Sequence, residues 1–334
     1  GFLNSPSTVR VLAPDVWKVA TGLAAVPGQK NTFRAENFDG FGDALDAALT
    51  GRAIVSLEAR TKDARKWLQD NEQRLRGRRV ERVISHGKHL IGYIEGRFFF
   101  HSHLMMWGRW QTFGPTKSKR KSKSIELPEK DRRERARIVV EGAAAVLLSA
   151  PIFNVGEGDP YGQMEILATL GPDALPYRGG FKRKEFLRRL LEHSHETIGA
   201  ALLNQRIVAG LGNYLRAEVL FNCKLNPWLT VGELAHRNLS CLSKTIPRLT
   251  RDAYERGATA TDEDRKRMAN DPSLVYQAGR EYGTRHLVFR RTNLPCLRCG
   301  EKIRQLRQKT IQSQEEEEER TRIVYFCAKC QRVE

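Results

Sequence analysis

Two short chelating pairs, Cys296-Leu-Arg-Cys299 and Cys327-Ala-Lys-Cys330, carry the clearest chemistry in this 334-residue chain. Two intervening residues let a tight turn bring both thiolates of a pair onto one tetrahedral ion at about 2.3 Å, and zinc is the expected metal. The 27 residues between the pairs exceed the spacing of about 15 to 20 in common four-Cys sites. The excess contains residues 312 to 320, with SQEEEEER at their centre, which read as a solvated insertion at a hairpin tip. A closed four-Cys site is structural, so it supplies a scaffold and no catalysis. Arg298, Arg304, Arg307, Arg322 and Lys329 decorate that scaffold. Cys223 and Cys241 read as ordinary buried residues, because six cysteines in a chain of this length are far below the density of a disulfide scaffold.

A second signal runs Gln205-Arg-Ile-Val-Ala-Gly-Leu-Gly-Asn-Tyr-Leu-Arg-Ala-Glu218, read as a helix, a turn built on Gly210 and Gly212, and a helix opened by Asn213. Closely spaced glycines let backbone N–H groups approach an anion, and a helix N-terminus favours negative charge, so the turn is in principle a phosphate cradle. A generic helix-turn-helix in which Asn213 is only an N-cap is the alternative.

The elements around these residues follow from pattern. ALDAAL at 44–49 is helical and Gly51 closes it before a strand-like stretch at 53–57. VERVISH, LIGYI and RFFFHSHL between residues 80 and 113 are β-branched and aromatic runs separated by turn residues such as Glu95-Gly96, which predicts an antiparallel sheet. A second hairpin is expected from 136–140 and 143–155 about Glu141-Gly142. After Asp159-Pro160 the period becomes helical, with a basic helix around Phe186, Leu187, Leu190 and Leu191 and further helices at about 197–204, 214–221 and 237–256. The run KSKRKSKS at 117–124 has no apolar residue to bury; it reads as a solvated loop, with a nuclear-import or DNA-touching patch as the alternative.

Composition narrows the partners. Lys and Arg outnumber Asp and Glu by 57 to 39, a formal charge of +18, which favours a polyanion: nucleic acid first, an anionic membrane surface second. The longest nearly uncharged apolar run, about 142 to 153, falls short of the roughly 18 residues that span a bilayer. Nothing in the first thirty residues reads as a secretory signal, so an intracellular, reducing compartment is expected.

QRIVAGLGNYLRAEVL resembles the helix-two-turns-helix signature of the formamidopyrimidine-DNA glycosylase and endonuclease VIII family, nearer the endonuclease VIII branch. Ser85-His-Gly-Lys-His-Leu90 followed by His101-Ser-His-Leu-Met-Met-Trp-Gly-Arg-Trp110 is similar to that family's β-sandwich core, and Arg322 to Cys330 to its zinc β-hairpin finger. The matches keep the family's order over residues 41 to 334. The resemblance implies an α+β protein: an unmatched segment 1–40, a β-sandwich-like domain 41–172, a helical helix-two-turns-helix domain 173–285, a zinc finger 286–334, and a linker near 171–178.

It also implies a function: excision of oxidised bases, above all pyrimidines, with cleavage at the resulting abasic site. Lys88 corresponds to the lysine that contacts the phosphate at the damaged nucleotide and assists catalysis. Asn213 corresponds to the asparagine that holds the flanking phosphates, and Arg322 to the finger arginine that grips the same kinked backbone. Met105, Met106 and Trp107 lie where the family fills the gap left by the everted nucleotide, beside Arg109; an apolar wedge there restores lost stacking. Ordinary sheet packing is the alternative for that tip, and a surface sheet lysine for Lys88. The implied cofactor is one structural Zn2+ on Cys296, Cys299, Cys327 and Cys330. The implied partner is double-stranded DNA carrying oxidised bases or abasic sites, bound by a monomer with no membrane, in a nucleus or a nucleoid according to the organism.

That family works through an N-terminal Pro-Glu dipeptide whose proline amine attacks C1′ while the glutamate handles protons. Here the start reads Gly1-Phe-Leu-Asn, and Pro6 is followed by Ser7. Three expectations follow: a truncated or mis-spliced form of an active glycosylase; a relative that binds damaged DNA without cutting it; or an enzyme with a substitute nucleophile. For the last, the amines are Lys88 and the Gly1 α-amine, with an intrinsic pKa of about 7.7 to 8.0. An RNA-binding or transcription-associated zinc ribbon also explains the charge and the Cys pairs, but not the ordered matches at Lys88 and Asn213.

Overall fold

The computed structural model describes residues 7–10, 24–25, 32–35, 38–105, 107–114, 129–176, 178–276, 281–310 and 321–333. Met106, the basic run at 117–124 and the acidic tract at 315–319 lie outside these residues. The chain divides into two compact units, residues 1–168 and residues 169–334.

The first unit opens with β1 (Ser7–Arg10), β2 (Ala24–Ala25) and β3 (Thr32–Ala35), which pair in the order β1-β3-β2. Helix α1 (Phe38–Leu49) starts earlier than its sequence pattern suggests, and β4 (Ile54–Ala59) follows. Helix α2 (Lys62–Leu75) was not anticipated: only Ala64, Leu68 and Leu75 are buried, a stripe too thin to stand out in so charged a segment. Then come β5 (Val80–His86), β6 (His89–Ile94), β7 (Phe98–His103), β8 (Arg109–Phe113), β9 (Glu134–Val140), β10 (Ala143–Leu148) and β11 (Ile152–Glu157). Short helices α3 (Pro160–Gln163) and α4 (Glu165–Ala168) end the unit.

These strands build two four-stranded antiparallel sheets, β4-β9-β10-β8 and β11-β7-β6-β5. Leu57, Ile138, Ala145 and Leu147 of the first share one buried core with Leu90, Ile94, Phe100 and Phe153 of the second, and Leu45 and Leu49 of α1 join it. The stretch 143–155 is therefore not one strand, as expected, but two strands in different sheets. Ser149 takes the left-handed region at φ +56 and Pro151 cannot donate, so the ladder breaks and the chain changes sheet.

The second unit is helical. Its elements are α5 (Arg183–Leu191), α6 (Ile198–Ala201), α7 (Asn213–Asn222), α8 (His236–Arg256) and α9 (Asp262–Asn270), then the hairpin β12 (Ile303–Lys309) and β13 (Thr321–Cys327) and a closing turn of helix, α10 (Ala328–Gln331). Helix α6 is shorter than the expected 197–204 stretch, and Gln205, Gly210 and Gly212 form a turn between it and α7. Residues 215–221 of α7 are all buried, because the helix packs on α8 through Leu215 and Val219 and on the finger side through Ala217 and Phe221. Buried at its centre, the Glu218 carboxylate accepts from Thr259 Oγ1 (3.0 Å) and from the backbone N–H groups of Leu287 (2.9 Å), Val288 (2.8 Å) and Phe289 (2.9 Å). Cys223 and Cys241 are not ordinary buried thiols: they form a disulfide that joins the end of α7 to α8. Eighteen residues apart, they carry no spacing signal that could have paired them.

Candidate nucleic-acid interface

In the first unit Lys88 is the second residue of the two-residue Gly87-Lys88 turn between β5 and β6, not a residue within a strand. Gly87 stands at φ +59, a conformation that two-residue hairpin turns require and that glycine adopts without steric cost. His89 pairs across the sheet with His103, which ends β7, so the Lys88 turn and the following tip occupy the same end of this sheet. At the tip Met105 has φ +52 and its N–H donates to His103 Nδ1 at 3.1 Å. Met105 is 44% and Trp107 66% exposed, so neither packs into the sheet; the packed indole is Trp110, whose Nε1–H donates to Ser102 Oγ at 3.0 Å. Arg109 opens β8 half-buried. Around Lys88 the imidazoles of His89, His101 and His103 are held neutral, chiefly by burial and then by their mutual charge and that of Lys88, with pKa values lowered to about 2, about 4 and about 4.

In the second unit the expected phosphate cradle differs in detail. The Gly210 N–H donates to Gln205 Oε1 at 3.0 Å, and Gln205 Nε2 donates to the carbonyls of Leu203 and Leu211, so this loop is tied internally. Gly212 occupies the N-cap of α7 and Asn213 is its first helical residue, half-exposed; the side chain of Asn213 does not cap. Instead its Oδ1 accepts from Arg216 Nη2 at 2.6 Å. Arg216 is fully buried and its guanidinium also donates to Ile323 O (2.7 Å), Gly199 O (3.2 Å) and Gln308 Oε1 (3.2 Å). Gln308 pairs across the β12–β13 ladder with the exposed Arg322. One buried guanidinium thus joins Asn213 to Ile323 and Gln308, the chain neighbour and the ladder partner of Arg322. Burial, then the charge of Arg322, lowers the Arg216 pKa to about 9. Gly199 makes the junction possible, since a Cβ there would lie 2.2 Å from Gln308 Oε1.

The four expected ligand residues come together in the same unit. The Sγ atoms of Cys296, Cys299, Cys327 and Cys330 all lie within 4.8 Å of one another, with Cys296 to Cys330 at 3.9 Å and Cys299 to Cys327 at 3.4 Å. A tetrahedral ion with bonds of about 2.3 Å places its thiolates about 3.8 Å apart, so the cluster has the dimensions to hold one metal ion. Cys327 and Cys330 bracket the end of β13, and Gly300 turns the chain back after Cys299 with its N–H on Cys296 O at 2.9 Å.

Residues 41–146 match the model of the formamidopyrimidine-DNA glycosylase N-terminal domain, and residues 170–264 that of the formamidopyrimidine-DNA glycosylase H2TH domain, together more than half of the chain. A formamidopyrimidine-DNA glycosylase of Dinoroseobacter shibae is 28% identical over 293 residues, covering 86% of this chain and 95% of its own length. An endonuclease 8 of Pectobacterium carotovorum is 27% identical over 79% of this chain and 88% of its own. The chain belongs to the formamidopyrimidine-DNA glycosylase and endonuclease VIII family. Among solved structures, the Lactococcus lactis formamidopyrimidine DNA glycosylase non-covalently bound to DNA containing an AP site shares the fold, with a TM-score of 0.63, 20% identity, and coverage of 86% of this chain and 95% of that one.

Within this family fold, the residues singled out from sequence fall into three groups. Lys88 sits beside the tip that bears Met105, Trp107 and Arg109, with Met106 outside the described residues. Arg216 joins Asn213 to the carbonyl of Ile323, next to Arg322, and the four cysteines cluster at the end of β13. Sequence reasoning passed over Arg216 and Gln308, because in a chain so rich in Lys and Arg a single helical Arg looks like any surface cation. It also passed over the histidines, although four of the chain's eight lie at positions 86, 89, 101 and 103.

Proposed function

We propose that this chain is a base-excision repair enzyme, a DNA glycosylase with AP lyase activity that excises oxidised bases, chiefly pyrimidines, from double-stranded DNA. An amine attacks C1′ of the damaged nucleotide, the C1′–N bond to the base breaks and the base leaves with a proton. The resulting imine loses the C2′ proton and expels the 3′ phosphate, and a second elimination expels the 5′ phosphate. To reach C1′ the nucleotide must leave the stack, at a cost of a few kcal/mol in lost stacking and pairing. Met105, Met106 and Trp107 fill the gap that it leaves, and Arg109 stands at their base. Lys88 contacts the phosphate at the damaged nucleotide and assists catalysis from there. Asn213 and Arg322 hold the flanking phosphates of the kinked strand. Cys296, Cys299, Cys327 and Cys330 hold one Zn2+, which supplies a cross-link with no open coordination position and so stiffens the hairpin that carries Arg322. The chain acts as a monomer inside the cell, and no described helix is long and apolar enough to cross a membrane. Its working domains are taken as 41–172, 173–285 and 286–334.

The observation that carries this reading is the buried Arg216 guanidinium, which joins Asn213 to the strand that bears Arg322 and whose four hydrogen-bond partners are all uncharged. A buried cation flanked by a second arginine, with neutral partners, is a setting made for a polyanion. Asn213→Ala and Arg322→Ala should each weaken binding to a duplex bearing one abasic site by roughly 10-fold or more, as loss of a hydrogen bond to a charged group implies. Fluorescence anisotropy measures this, with thermal melting to confirm the fold. Unchanged affinity in both variants would sink the assignment.

A further inference from the structure

The outer face of the β11-β7-β6-β5 sheet carries polar groups buried where apolar ones would serve. Ile84, Ile91 and Phe99 share this face with Asn154, His101 and His89, in the registers Asn154↔His101, Ile91↔His101 and His89↔His103. His101 is fully buried and His89 nearly so. Such burial is unfavourable unless each ring nitrogen finds a partner. Asn154 Nδ2 lies 3.3 Å from His101 Nδ1, and His101 Nε2 lies 2.9 Å from His89 Nδ1. The amide nitrogen can only donate, so His101 accepts at Nδ1 and carries its proton on Nε2, where it donates to His89 Nδ1; the His89 proton therefore stands on Nε2. One tautomer of each ring is selected, starting from an asparagine on the edge strand. The string ends at the residue that adjoins Lys88.

Resting on the reading that Lys88 faces a DNA phosphate, we propose that Asn154, His101 and His89 are positioning residues for Lys88: an uncharged hydrogen-bonded string that fixes the start of β6 and so aims the Lys88 ammonium at that phosphate. The groups that face the string are His103 on β7, whose ring centroid is 4.6 Å from that of His89, His86 on β5, which pairs with Tyr161 of α3 at 2.8 Å, and Lys88 itself. The neutrality of His89, His101 and His103 keeps positive charge at Lys88 instead of setting imidazolium ions against it.

A double-mutant cycle tests this, with anisotropy on a duplex carrying one tetrahydrofuran abasic analogue. His101→Leu should weaken binding roughly tenfold when Lys88 is present but under about twofold in a Lys88→Ala background, because residues that act through one another are not additive. His101→Gln, which keeps an N–H donor toward His89 Nδ1, should recover most of the loss. Where His101→Leu does not fold, Asn154→Ala at the half-buried start of the string takes its place in the same cycle. Equal losses in both backgrounds, or no loss from either string variant while Lys88→Ala alone weakens binding, overturn the inference and leave the role of Lys88 standing. No loss from Lys88→Ala itself overturns the role of Lys88 and the inference with it.

Discussion

Arg216 decides what the second unit can present to DNA. Its guanidinium is shared among Asn213, Gly199, Gln308 and Ile323, in a planar fork that a lysine ammonium cannot reproduce. Arg216→Lys should therefore leave two or more of those oxygens buried and unpaired, lowering stability by about 2 to 4 kcal/mol in urea unfolding and weakening abasic-site binding as Asn213→Ala does. A stability within a few tenths of wild type would show that the four contacts are not the anchor. At the tip, Trp107 is the most exposed large hydrophobic residue among those described. Trp107→Ala should reduce the preference for an abasic over an intact duplex by the roughly 1 to 3 kcal/mol that base–aromatic stacking contributes, with affinity for the intact duplex unchanged. Equal loss on both duplexes would place Trp107 in backbone contact instead.

At the scale of elements, two buried devices hold the interface in place. The Glu218 carboxylate ties residues 287–289, at the start of the finger, to α7 through three backbone N–H groups. The Cys cluster ties β13 to the turn at 296–299. With zinc on these cysteines as proposed, chelation should unfold the finger, since structural sites bind with about 10 to 16 kcal/mol, and should abolish lesion binding while α5 to α8 keep their far-UV signal. Intact binding after removal of the metal would contradict the finger's part. The finger and the Asn213 helix were legible in sequence because their chemistry is local: two Cys-x-x-Cys turns, and a glycine turn opening a helix. The rest was hidden for physical reasons. Ala143 to Val155 carries no charge and is apolar apart from Ser149 and Asn154, so periodicity could not show that the chain changes sheet at Ser149-Ala150-Pro151. Arg216 and the disulfide between Cys223 and Cys241 depend on contacts between distant segments, which no local pattern records.

For the whole molecule the consequences concern charge and protons. With a formal charge of +18, binding should fall steeply with salt, by about 10³ to 10⁵ between 50 and 200 mM for a protein that makes roughly six to ten phosphate contacts, and Arg322→Ala should reduce that slope by about one. Four histidines are held neutral with lowered pKa values: His89 at about 2, His101 and His103 at about 4, and His286 at about 3, in each case mainly by burial. Above an unfolded pKa of about 6.5 both states are neutral and nothing is lost; as pH falls below it the unfolded chain binds protons that the native one refuses, so stability declines toward pH 4. Calorimetry at pH 5.5 should show uptake of about 3.5 protons on unfolding, whereas a pH-independent melting temperature between 6.5 and 4.5 would show these rings to be solvated. The proposed function requires amine chemistry at a flipped, damaged nucleotide. Borohydride trapping on a duplex with one abasic site reads that chemistry out. The expected result is a covalent protein–DNA adduct, diminished in Lys88→Ala. Absence of any adduct, with abasic and intact duplexes bound equally well, would contradict it.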